Sequence, residues 1–135
     1  MSKLILCLLL LFNIYVCEEE SKIRIFDERK DEKDISVKLG EEFALKFLSN
    51  PSTGYSWDFV NKQEVAGYLK LLRTKTERAY TGRMRNHLVG SPVNLYLYFK
   101  ATNVTNEAVP LQFVYGKHWL KNANYPVTTF KVTVN

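Results

Sequence analysis

Stretches of alternating apolar and polar residues recur between Ile35 and Val134, and they restrict the chain to one kind of structure. "ISVKL" places Ile35, Val37 and Leu39 on one side, and "FALKFL" does the same with Phe43, Leu45 and Phe47. "NLYLYFKA" sets Leu95, Leu97 and Phe99 opposite Tyr96 and Tyr98, and "TTFKVTV" aligns Phe130, Val132 and Val134. Side chains of an extended strand point alternately to two faces, so each stretch has one face to bury and one to leave in water. Further strands are expected at Tyr55 to Val60, Tyr68 to Thr74 and Val109 to Tyr115. In "KQEVAGYLKLL" the helical spacing of Val65, Leu69 and Leu72 competes with a turn leading into a strand, and the turn is preferred. Seven or eight short strands without alternating helices predict an all-β, immunoglobulin-like sandwich.

A length of 135 residues suits one domain with a real core. Residues 1–17 carry Lys3, an apolar run from Leu4 to Phe12, and then acids from Glu18, which is the profile of a signal peptide cleaved near Cys17. The run is shorter than the ~18 apolar residues of a bilayer span, so no stable membrane anchor is expected. Both cysteines, Cys7 and Cys17, fall in this leader. The remaining chain then has no thiol, which excludes a cysteine nucleophile and thiolate metal sites and leaves cohesion to the core. Trp57, Phe59, Phe99 and Phe113 are candidates to fill it.

Residues 18–34 hold eight acids against five bases and read as a charged, flexible arm, with "IRIF" at Ile23 to Phe26 as a candidate edge strand. Residues 35–135 form the domain proper, and they are distinctly basic. Such a field favours acidic partners. Nucleic acid is disfavoured among these, because no arginine–glycine repeat or aromatic stacking platform accompanies the charge.

In a mostly antiparallel sandwich every second connection emerges at the same end. Counting from "FALKFL", three loops share one end: 49–54 ("SNPSTG"), 75–92 ("KTERAYTGRMRNHLVGSP") and 116–126 ("GKHWLKNANYP"). In the first, Asn50 precedes Pro51 and is held extended, Gly54 permits a positive φ, and Ser52 and Thr53 are left with free hydroxyls. The middle loop carries Arg78, Arg83, Arg85 and His87. The third presents Trp119 after Lys117 and His118, following a strand whose core side is already supplied by Val109, Leu111, Phe113 and Tyr115. A tryptophan left exposed there is suited to anchor an interface.

Catalysis finds little support. His87 and His118 are the only histidines, no HxxxH or HExxH pattern joins them, and no Gly-rich phosphate loop is present. Nothing local supplies a base for Ser52 or Thr53. The chain is therefore expected to be neither an enzyme nor a metal or cofactor protein. "NVT" at Asn103 is an acceptable glycosylation site in a secretory protein and falls at the end opposite the three loops, whereas Pro51 excludes Asn50.

"NPSTGY" followed by Trp57, then "LVGSPV" leading into a strand, then "YGKHW" ending the next strand, resemble the chagasin family of inhibitors of papain-like cysteine peptidases. The resemblance covers Ile35 to Asn135. It implies an immunoglobulin-like fold whose three loops enter the peptidase cleft as a wedge, reversibly and without a covalent bond, with cathepsin L-like enzymes as partners and a monomer as the inhibitor. Asn50, Pro51, Ser52, Thr53, Gly54 and Tyr55 match the family's Asn-Pro-x-Thr-Gly-aromatic loop. Of the second motif, Gly-x-Gly-Gly, only Gly90 is retained, with Ser91 and Pro92 after it, and Arg83 and Arg85 are expected to share that contact. In place of Arg-Pro-Trp stand Lys117, His118 and Trp119.

The resemblance also implies work in lysosome-like vesicles or outside the cell. Imidazole titrates near the pH of such compartments, so His118 is expected to hold or tighten inhibition as pH falls toward 5. The alternative reading is a secreted or vesicular immunoglobulin-like adhesion module using the same end. The paired first-loop motif and strand-end tryptophan argue against it.

Overall fold

The computed structural model describes residues 22–79, 91–120 and 123–135. The leader therefore lies outside the described residues, as do Arg83, Arg85, His87 and Gly90. The alternating stretches form strands in chain order: β1 (Arg24–Asp27), β2 (Asp34–Val37), β3 (Glu42–Ser49), β4 (Ser56–Phe59), β5 (Leu69–Arg78), β6 (Val93–Ala101), β7 (Val109–Gly116) and β8 (Val127–Val134). They make two four-stranded sheets, ordered β1-β3-β6-β5 and β2-β8-β7-β4. Among the described residues helix is confined to one turn, α1 (Lys62–Val65), and a 3-10 turn at Pro51–Thr53. The contested "KQEVAGYLKLL" is thus divided: its first residues close a helical turn, and the strand begins at Leu69.

The core lies between the sheets. Phe43, Phe47, Phe99, Phe113 and Phe130 are fully buried, together with Leu45, Leu111, Val132 and Val134. Phe47 is a hub, with ring centroids 4.7 Å from Phe113, 4.7 Å from Trp57 and 5.9 Å from Phe130. Offset and edge-on ring pairs add to simple area burial, and here aromatics fill the centre where many sandwiches place a disulfide. Toward the margins the expected inward residues are less covered, and Leu95 and Val109 are half-buried against the core. Trp57 is only half-buried, because it sits where the sandwich gives way to the loops, and Leu39 is 54% exposed, because β2 ends at Val37 and the chain turns through Gly40 at φ 84°.

The charged segment is partly built into the fold rather than free. Residues Arg24–Asp27 add a parallel edge strand to β3, and Phe26 packs against the core edge-on to Phe43. The next strand joins the other sheet, parallel to β8. Asp27 anchors this edge: it accepts from the Arg29 backbone N–H and from Arg29 Nε and Nη2, with Lys46 Nζ at 3.7 Å. The Arg29 hydrogen bonds hold the Asp27 carboxyl below the ordinary value of 3.8, against a partial opposing effect of burial. A depressed carboxylate pKa stabilises the fold above the unfolded value, and that stabilisation is lost as pH falls through the folded value. We expect Asp27→Asn to lower the unfolding temperature by about 2–4 °C between pH 5 and 7 and to converge with wild type near about pH 2. Thermal scans across pH measure this, and a constant difference down to pH 2 would assign the loss to packing instead.

Register decides where the loops go. Ser49 at the end of β3 pairs with Val93 at the start of β6, which pairs with Arg78 at the end of β5. In the other sheet Ser56 pairs with Gly116, and Val114 pairs with Val127. The connections β3–β4, β5–β6 and β7–β8 therefore leave from one end, as the alternation of strand direction requires. Asn103 is at the opposite end, where its side-chain amide donates to the Gly67 carbonyl.

Candidate functional site

Each residue of "NPSTGY" has a structural task. Asn50 lies at φ −126° and ψ 88°, the extended region to which the following proline confines it. Pro51 opens a single 3-10 turn, in which Thr53 N donates to Asn50 O at 3.1 Å and Gly54 N donates to Pro51 O at 3.1 Å. Gly54 ends the turn at φ 80°, a left-handed conformation that costs any side-chain-bearing residue.

The two hydroxyls are not free, which corrects the sequence expectation. Ser52 Oγ donates to Asn50 Oδ1 at 2.8 Å, and Thr53 Oγ1 donates to Asn50 O at 2.7 Å while facing Tyr55 N at 3.4 Å. Short hydroxyl and amide side chains favour such local bonds to the turn, and these bonds are why Asn and Thr fit their positions. Both protons are committed within the loop, and the tip of Pro51, Ser52 and Thr53 remains exposed. The loop presents a fixed shape rather than a nucleophile.

The third loop leans on the first. Trp119 is 64% exposed, and its indole lies over Gly54 so closely that a Cβ added at Gly54 would overlap Cη2. Glycine thus serves twice, for its positive φ and for the ring above it. Lys117 Nζ stands 5.4 Å from the centroid of the Tyr55 ring, a cation–π distance. His118 Nε2 is 2.7 Å from Ser56 O, and because a carbonyl only accepts, Nε2 is the donor. The Leu120 N–H closes a turn onto Lys117 O at 3.1 Å.

Of the sequence-identified residues, Asn50 to Tyr55 and Lys117 to Trp119 are brought together at one end. Ser91 is exposed beside them, next to Pro92, whose carbonyl accepts from Ala79 N at 3.0 Å. Arg83, Arg85 and Gly90 lie outside the described residues. Two rings outside the expected set, Tyr115 and Tyr125, pack beneath the loops against Tyr55. The strand alternation already put Tyr115 on the inner side, whereas no pattern marked Tyr125. Among the described residues no three His, Cys, Asp or Glu side chains converge as metal ligands would. A cavity of about 650 Å³ opens at the opposite end, lined by residues such as Asn61, Glu64, Tyr68 and Glu107, and takes no part in the loop cluster.

Residues 36–134 match the family described as Chagasin family peptidase inhibitor I42. The chain belongs to the chagasin family of peptidase inhibitors. No curated protein matches it in sequence. Among solved structures it is similar to the cysteine protease inhibitor EhICP2 from Entamoeba histolytica, at 19% identity and TM-score 0.68, over 84% of this chain and 96% of that one. Amebosin, known from a solution structure, is similar at 23% identity and TM-score 0.56, over 84% of this chain and 99% of that one. PbICP-C, solved in complex with falcipain-2, is similar at 14% identity and TM-score 0.53, over 83% of this chain and 99% of that one. These likenesses share the fold with the chagasin-family chain described above. His118 lies on the third loop, and Ser91 and Pro92 lie at the end of the middle one.

Proposed function

We propose that this chain is a reversible, non-covalent inhibitor of papain-like cysteine peptidases, and that its three-loop end occupies the active-site cleft. The observation that carries the reading is the braced first loop, exposed at its tip, with an uncovered tryptophan locked beside it in a chain of this inhibitor family. The likeness to a cysteine protease inhibitor, and to a protein solved with falcipain-2, supports the class of partner. Binding rests on Asn50 to Tyr55, on Lys117, His118 and Trp119, and on a middle-loop contribution from Arg83, Arg85, Gly90 and Ser91. Substrate is excluded by occupancy, since neither hydroxyl at the tip is placed to attack.

The test is a titration of the purified protein against a cathepsin L-like cysteine peptidase and a serine peptidase at pH 5.5, with residual activity as the readout. Stoichiometric and reversible loss of only the cysteine peptidase's activity is expected. No loss at micromolar inhibitor, with the domain shown to be folded, would leave the adhesion-module reading in its place.

A protonated His118 adds charge beside Lys117 at the loop end, and a cleft carrying acidic groups would meet both. Inhibition should hold or tighten from pH 7 to pH 5 in the wild type, and this trend should weaken in His118→Pro. Superimposable profiles of inhibition constant against pH would remove His118 from the account.

We further infer that residues 1–17 direct the chain into the secretory pathway, that it works in lysosome-like vesicles or after secretion, and that Asn103 carries a glycan. Asn103 is exposed and far from the loops, so a glycan there leaves the wedge clear. Asn103→Gln should abolish a shift in gel mobility produced by glycosidase. Equal mobility of treated and untreated wild type would mean the site is unused.

A further inference from the structure

A continuous line of rings runs from the core to the loops. Phe47, fully buried, meets Trp57, which stacks on Tyr115 with centroids 4.9 Å apart and planes at 26°. Tyr115 lies 5.4 Å from Tyr55, and Tyr55 meets Tyr125 edge-on at 5.9 Å. Two hydrogen bonds fix the line to the backbone of the first loop: Trp57 Nε1 donates to Leu48 O at 2.9 Å, and Asn50 N donates to the Tyr115 hydroxyl at 2.9 Å.

Tyr125 comes from the far side of the third loop. Its ring fills the space that Gly116 leaves open, since a Cβ on Gly116 would overlap Cδ2 and Cε2 of that ring. Among the described residues its hydroxyl has no hydrogen-bond partner, and its contacts with Tyr55 and at Gly116 are made by the ring. The two tyrosines thus act by different atoms. Tyr115 supplies an acceptor to the amide that precedes Pro51, and Tyr125 supplies a wall behind Tyr55.

We propose that Tyr115 and Tyr125 are positioning residues which make the first and third loops a single rigid body, Tyr115 through its hydroxyl and Tyr125 through its ring. Loops already held in their bound shape lose less freedom on association, so the pair should act on affinity more than on stability. The link to affinity rests on the function proposed above, whereas the rigid coupling does not.

Backbone amide hydrogen exchange of the free protein tests the coupling, and inhibition of a cathepsin L-like peptidase tests its consequence. Tyr115→Phe keeps the ring but removes the acceptor, and exchange at Asn50 should speed by at least about tenfold while the inhibition constant rises about 5- to 30-fold. Tyr125→Phe should match wild type in both. Tyr125→Ala should speed exchange at Thr53 and Gly54, which belong to the other loop, and weaken inhibition by a similar factor, with the unfolding temperature nearly unchanged. Tyr125→Leu replaces it if the alanine variant does not fold.

The proposal falls if Tyr115→Phe leaves Asn50 exchange unchanged, if Tyr125→Phe is as damaging as Tyr125→Ala, or if first-loop amides ignore Tyr125 altogether. A wild type that does not inhibit, yet shows the expected exchange pattern, would retain the coupling and overturn the proposed function alone.

Discussion

Trp119→Ala should raise the inhibition constant at least about tenfold, and by the about 30- to 900-fold that ~2 to 4 kcal/mol represents if the indole sits at the centre of the interface. The unfolding temperature should move by no more than about 3 °C, because exposed substitutions away from packed features change stability little. The physical basis is its position: the ring is 64% exposed and rests on Gly54 at the loop end. A wedge of standard size buries about 800 Å² per partner, and central aromatics commonly dominate such areas. Paired measurements of inhibition and thermal unfolding decide the matter. A variant that loses its fold together with its inhibition would show that Trp119 is a structural residue after all.

Gly54→Ala is expected to be comparably damaging, by about 100-fold in the inhibition constant, although only one methyl group is added. Its φ of 80° costs an alanine about 1–2 kcal/mol, and the new methyl overlaps the Trp119 indole. The ring must leave, and the third loop leaves with it. This gives a sharper test than either substitution alone. Once Trp119 is alanine the overlap disappears, so Gly54→Ala should then cost only the backbone strain, and the two effects should fall well short of additive. Full additivity in a double-mutant cycle would mean that the loops bind independently and that the contact between them is incidental.

Much of this architecture is legible in the residues because period-two alternation has one physical meaning. Phe43, Leu45 and Phe47 face the core together since consecutive side chains of a strand must oppose each other, and up-and-down succession then sends three loops to one end. The alternation fails at its margins. Leu39 keeps the period but lies past the last bonded residue of β2, and short-range pattern carries no information on where pairing stops. The acidic segment before β2 reads as a solvated arm from its charge, apart from the edge strand expected at Ile23 to Phe26, which forms as β1. Parallel pairing with β3 and the Arg29 and Lys46 contacts of Asp27 nevertheless place part of it in the sheet.

The site divides in the same way. The turn residues of "NPSTGY" announce a tight bend, but that Ser52 and Thr53 use their hydroxyls to hold Asn50 is seen only when the turn is closed. Tyr125 is ten residues from Tyr115 and nine from Gly116, in a loop without periodicity, and nothing local marks its ring as the support for Tyr55.

By itself the sequence determined an all-β sandwich with an aromatic, thiol-free core, the sharing of one end by three loops, and the motif at the tip of the first, because each follows from local periodicity and turn chemistry. Only the tertiary structure decided that the first and third loops are locked together, through Trp119 on Gly54 and Tyr125 against Tyr55. Such contacts join segments about 65 to 70 residues apart in the chain, at distances set by sheet register and not by any property of either segment alone.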